Sequence, residues 1–257
     1  MSSRRISPPT RPHRSWQRAR HHRRDKSLAR LCALMVIAVV LGIITGVLLP
    51  KFSDHINDLS GGYHATGAAA TAMQLLRVSD IAPTSTKYDR ASFGFRETDV
   101  DGNGCDVRDD VLTRDFSSVK FTYAGSCIVQ SGVLKDPYTA QTMNFVRGAK
   151  TSAKVQIDHV VALENAWKSG AHAWTKAEKY RFGNDPYNLL AVNGSANQEK
   201  GSASAAYWLP SNKAYQCSYV SRQIAVKTKY RLTITKSERQ AMLIVLHGCP
   251  HQKLPKE

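Results

Sequence analysis

The sequence predicts an α+β fold: a strand–strand–helix core with additional helices and two disulfides, preceded by one N-terminal transmembrane helix. Three observations carry this. Residues 154–208 read as two short strands and a helix, in that order. Residues 31–49 are an unbroken apolar stretch of nineteen. Four of the five cysteines lie beyond that stretch.

In chain order, residues 1–30 are rich in Arg, Pro, His and Ser and have no apolar period, the composition of a disordered tail. Leu31 to Leu49 then suffices for a spanning helix and exceeds the apolar core of most signal peptides. Ten Lys and Arg against the single Asp25 fill the first 50 residues, so the positive-inside rule keeps the N-terminus in the cytoplasm and places the remainder outside. The lack of a small-x-small cleavage site favours a retained anchor over a cleaved signal. Gly42 and Gly46 have helix-dimer spacing, but glycine is frequent in membrane helices and no role is assigned to them. Residues 50–87, with Gly61-Gly62 and an Ala-rich run from Ala68, read as a tether with a short helix. The domain proper is expected over 88–257.

Of the net charge of +16, +9 sits in residues 1–50 and +7 in 51–257. A basic domain suits a polyanionic partner through non-specific attraction. Cys32 lies in the apolar span, and Cys105, Cys127, Cys217 and Cys249 form an even set in a compartment where disulfides persist. Four cysteines allow three connectivities. Proximity favours Cys105–Cys127 and Cys217–Cys249, the second stitching a final helix at Lys236 to His247 onto the segment after the core helix. No Cys-x-x-Cys pair supports zinc. Asp99-Val-Asp101-Gly-Asn103-Gly104 imitates a calcium loop with Asp110 at its twelfth position. Asp106 stands where such loops are apolar and no Glu closes it, so an Asp/Asn/Gly turn is the simpler reading.

In the core, Val155 and Ile157 alternate with Lys154 and Gln156 as in a half-buried strand, and Leu189 to Val192 is a second short apolar run. Ser195 is the expected N-cap of a helix running towards Trp208. This order gathers Asp158, His159, Asn188 and Asn197 around one concavity. The Asp158 carboxylate and the Asn197 amide oxygen suit one hard divalent cation, Mg²⁺ or Mn²⁺, with sites left for water and phosphate. His159, with an unperturbed pKa near ~6.5, suits a general base, and Asn188 would fix its loop by hydrogen bonds.

At these residues the chain resembles the HNH nucleases, the ββα-metal or His-Me finger superfamily. The motif stands here as Asp158-His159, then Asn188, then Asn197 with Lys200 three residues on. It is most similar to an exported branch of small nucleases whose third motif residue is Asn, and the similarity extends from Tyr88 to Cys249. The gap between His159 and Asn188 implies an insertion carrying a helical stretch from Glu164 to Phe182.

The resemblance implies a metal-dependent endonuclease that hydrolyses DNA with little sequence preference, with RNA left open and no small-molecule cofactor. His159 would activate water, one cation on Asp158 and Asn197 would neutralise the phosphate, and products would carry 5′-phosphate ends. Lys200 and Arg108 are the candidate phosphate contacts; Arg108 and Arg114 could instead pair with Asp110 and Asp115. Glu164 reads first as a surface residue, with an approach to the metal as the alternative. Trp167, Trp174, Tyr180 and Phe182 read as core, and Asp136-Pro137-Tyr138 as a turn. The rival class is a membrane-anchored, non-catalytic nucleic-acid or envelope-binding protein on the same scaffold, which gives no reason for the four motif residues to occur together.

Overall fold

A computed structural model describes residues 15–48, 62–80, 87–94, 99 and 101–256. The chain divides into two compact units, Met1–Gly62 and Tyr63–Glu257.

In the first unit the described residues form one helix, α1 (Ser15–Leu48). The tail expected to be disordered to residue 30 is therefore helical in backbone from Ser15; residues 1–14 lie outside the described residues. Leu31, Leu34, Val36 and Ile43 are exposed along it. Among the described residues no helix is long and apolar enough to cross a membrane. The stretch expected to span lies on this helix, whose backbone is continuous with the basic stretch before it and whose described side chains cover residues 30–46. Of the expected tether over 50–87, residues 50–61 and 81–86 lie outside the described residues, as does residue 49 at the end of the expected span.

The second unit starts earlier than the expected Tyr88. Helix α2 (Ala68–Leu75) buries Ala69, Ala70 and Met73. Val78 bridges Ile234, and Ser79 N–H donates to Ile234 O at 2.8 Å. An Ala-rich helix with one apolar face needs a surface to cover, and the C-terminal helices provide it.

Helix α3 (Val107–Asp115) is capped by Asp106, whose carboxylate accepts from Asp109 N–H at 2.7 Å. Strands β1 (Ser117–Phe121), β2 (Val129–Lys135) and β3 (Thr142–Val146) form an antiparallel sheet in that order. Strands β4 (Val155–His159) and β5 (Leu189–Asn193) pair antiparallel, with Val155 opposite Asn193 and His159 opposite Leu189. Between them lie α4 (Leu163–Lys168) and α5 (Lys176–Gly183), so the helical insertion is present but broken at Gly170, where φ is +131°. Thr175 and Glu178 close a capping box on α5.

Helix α6 (Gly194–Lys200) follows β5 directly and completes the strand–strand–helix order. Its N-cap is Asn193, two residues earlier than the expected Ser195: Asn193 Oδ1 accepts from Ser195 and Ala196 N–H at 2.9 and 3.2 Å. The helix stops at Lys200 rather than reaching Trp208, because Gly201 turns the chain at φ +51°. Helices α7 (Gln216–Lys229) and α8 (Lys236–His247) close the fold, the latter within the expected bounds.

The β4–β5 hairpin is buried on both faces, which is why β5 reads as a continuous apolar run. Val155, Ile157, Leu189 and Ala191 join Val111, Leu112 and Phe145 in one core cluster. Leu190 and Val192 join Met73, Tyr219, Ile224 and Met242 in another. A third, around Phe93, Trp167, Phe182 and Leu232, supports the insertion. The disulfides are Cys105–Cys127 and Cys217–Cys249, the pairing expected from proximity, and Cys32 is free and exposed.

Candidate active site

Asp158 and His159 are the last two residues of β4, so their side chains leave opposite faces of the hairpin. At the strand's end both nevertheless reach the wall of one cavity of about 290 Å³, shared with Asn197, Glu164, Tyr88 and Arg90.

Asp158 is buried and both its oxygens are engaged. Oδ1 accepts from Lys200 Nζ at 2.9 Å, and Oδ2 accepts from the Tyr138 hydroxyl at 2.5 Å. Lys200 has no exposed side-chain surface and also donates to His159 O at 2.9 Å. Burial pushes the Asp158 carboxyl up, opposed by the Lys200 ammonium and the Tyr138 hydroxyl. Tyr138 is fully buried between Trp208 and Tyr219, each edge-on to it, and burial beside Asp158 raises its phenol well above the ordinary value.

His159 Nε2 is 2.7 Å from Gly183 O. A carbonyl only accepts, so Nε2 carries the hydrogen and Nδ1 the lone pair. Burial lowers the imidazole pKa from 6.5 to about 3, the Gly183 carbonyl opposes this, and the charges of Arg90 and Lys200 add to it. The ring is therefore neutral at neutral pH. Gly183 is held against Phe93, whose carbonyl oxygen would lie 2.6 Å from a Cβ placed there.

Asn188 is fully buried and spends its amide on the backbone just beyond His159: Oδ1 accepts from Val161 N–H at 2.8 Å and Nδ2 donates to Val161 O at 3.1 Å. Gln223 donates to Val160 O at 3.0 Å from the opposite side. The chain leaving His159 is thus clamped by two amide side chains.

Asn197 donates from Nδ2 to Gln156 Oε1 at 2.9 Å, which leaves its amide oxygen as the acceptor atom. Among the described residues no cluster of three or more His, Cys, Asp or Glu could hold a metal. A cation here would rest on Asp158, with a lone pair left on each oxygen, on the Asn197 amide oxygen, and on water and phosphate oxygens. That sparse oxygen set fits Mg²⁺, which keeps several waters and uses few protein ligands. Glu164 lines the same cavity but pairs with Lys168 at 2.6 Å.

The expected phosphate contacts do not reach the cavity. Lys200 lies beneath the site as the counter-ion of Asp158, on the inward face of α6. Arg108 donates to Ser152 O and Val155 O at 3.4 and 3.1 Å, tying α3 to the start of β4. Arg114 pairs with Asp115 and donates to Leu189 O at 2.7 Å. The calcium-like loop is a turn, with Asp99 accepting from Gly102 and Gly104 N–H at 2.8 and 2.9 Å. Tyr138, Gln223 and Arg90 were missed. Tyr138 stands in what the sequence reads as a turn, and neither Gln223 nor Arg90 lies in a motif that the sequence singles out.

Residues 106–245 match the family model of the GmrSD restriction endonucleases, C-terminal domain. The chain is 37% identical over 186 residues, 71% of its length and 86% of the other's, to an "Uncharacterized secreted protein" of Arthroderma benhamiae. No solved structure matches.

Proposed function

The chain belongs to the family of the GmrSD restriction endonuclease C-terminal domain, an HNH-type nuclease family, and on that premise we propose that it is a metal-dependent endonuclease cutting DNA phosphodiester bonds with little sequence preference. The observation that carries this reading is the convergence of Asp158, His159 and Asn197 on one cavity, with His159 neutral.

His159 takes one proton of the attacking water as the water oxygen bonds to phosphorus. The bond from phosphorus to the 3′ oxygen breaks, and that oxygen leaves to be protonated from solvent, giving a 5′-phosphate and a 3′-hydroxyl. The Gly183 carbonyl holds the tautomer that puts the lone pair on Nδ1, and Asn188 and Gln223 hold the adjoining backbone. A divalent cation on Asp158 and Asn197 would supply charge neutralisation at the phosphate.

The protein acts outside the cell in this reading. The two disulfides support it, as does the secreted description of the relative. The membrane partner expected from residues 31–49 has no support from the described helix, and export is what we propose.

The test is nicking of supercoiled plasmid by the full chain in Mg²⁺ or Mn²⁺. His159→Ala should lower turnover by ~10²–10⁴ with DNA binding retained. Undiminished cutting by that variant, or in excess EDTA, would exclude the mechanism; a gel shift without cutting under any condition would favour the non-catalytic rival.

A further inference from the structure

We propose that Arg90 grips the non-bridging oxygens of the scissile phosphodiester; this deepens, and rests on, the nuclease reading above. The two cations that the motif region offers for this task are committed elsewhere, Lys200 to Asp158 and Arg108 to the backbone of Ser152 and Val155. Arg90 is exposed and lines the same cavity as Asp158, His159 and Asn197. A guanidinium is always charged and presents paired donors matching two phosphate oxygens. At the mouth of that cavity it meets the charge that builds up as phosphorus becomes five-coordinate.

The segment carrying Arg90 is built to hold it there. Residue 90 caps a short 3₁₀ turn, Ala91–Phe93, that ends at Gly94 with φ +60°. Phe93 is fully buried against Trp167 and Phe182, with ring centroids 6.4 and 6.1 Å away. Tyr88 stands edge-on to Trp167 at 5.9 Å and hydrogen-bonds Arg90 through its hydroxyl. Phe93 also backs Gly183, whose carbonyl orients His159. One anchored segment therefore sets the positions of both the base and the guanidinium.

The experiment compares the full chain with Arg90→Gln and Arg90→Lys, reading kcat, KM and thermal melts on a duplex oligonucleotide in Mg²⁺. Arg90→Gln should lose about 10²-fold in kcat with a smaller change in KM and an unchanged melting temperature. Arg90→Lys should fall between, and millimolar guanidinium should restore part of the loss in Arg90→Ala. Wild-type turnover in Arg90→Gln would overturn the proposal while leaving the nuclease reading intact. So would a loss of turnover that tracks a lowered melting temperature in both conservative variants, which would make Arg90 structural. A wild-type chain inactive on every nucleic acid and metal would overturn both.

Discussion

Replacing Lys200 by Met removes the ammonium that lies 2.9 Å from Asp158 Oδ1 and keeps most of the apolar stem in place. The pair is inside the protein, with side-chain exposures of 0% and 5%. Breaking a buried pair by removing one partner costs about 3–5 kcal/mol, because the remaining charge stays desolvated. For a unit of this size that corresponds to a fall of about 6–20 °C in melting temperature. The sign of the pH dependence follows from Asp158. Burial already raises its folded pKa, and losing the ammonium that opposes this raises it further. A raised carboxyl contributes stability that is present at low pH and lost as pH rises through the folded value, so the variant's deficit should be largest near neutrality and shrink on acidification. Urea melts in EDTA across the acid-to-neutral range would measure it, with Asp158→Asn and the double variant completing a cycle. The double variant should recover much of the loss. A Lys200→Met cost below about 1 kcal/mol, the level of an exposed pair, would refute the buried-pair reasoning, as would strict additivity in the cycle.

Asn188→Ala should cost about 2–4 kcal/mol by orphaning Val161 N–H and C=O, and should lower turnover as the chain after His159 loosens; wild-type melts and rates would contradict the clamp. His159, depressed from 6.5 to about 3 by burial, leaves the unfolded chain binding a proton that the folded one refuses between those values. Stability should therefore fall as pH drops through that window, and the fall should be shallower in His159→Gln when unfolding is followed in EDTA. The disulfides close loops of sequence separation 22 and 32. In the chain-entropy model each contributes about 3–4 kcal/mol. Thiol alkylation of the exported protein should find those four cysteines blocked until reduction, with Cys32 reactive if present; free thiols at all five would place the domain in a reducing compartment.

The strand–strand–helix order, the helix at 236–247 and the disulfide pairing were legible in the sequence because each rests on local signals: alternation, turn residues, caps and short loop closure. Asp158 and His159 were legible for the same reason, as the polar end of an apolar strand. Tertiary structure decided what periodicity cannot encode. Lys200 sits on a helix of seven residues, too short for its pattern to tell which side faces in, and only the packing of α6 on β4 turns it towards Asp158. Tyr138 and Asp158 are 20 residues apart, and the turn holding Tyr138 has no local reason to point into the core. Arg108 reads as a phosphate contact from the resemblance and from its guanidinium chemistry, but α3 docks against the start of β4 and its guanidinium meets two carbonyls. Arg90 reaches the cavity because Phe93 and Gly183, ninety residues apart along the chain, leave no room between them for a side chain. Contacts of such sequence separation are set by which apolar faces find each other in the folded protein, so charge and spacing named the candidates while packing assigned them their places.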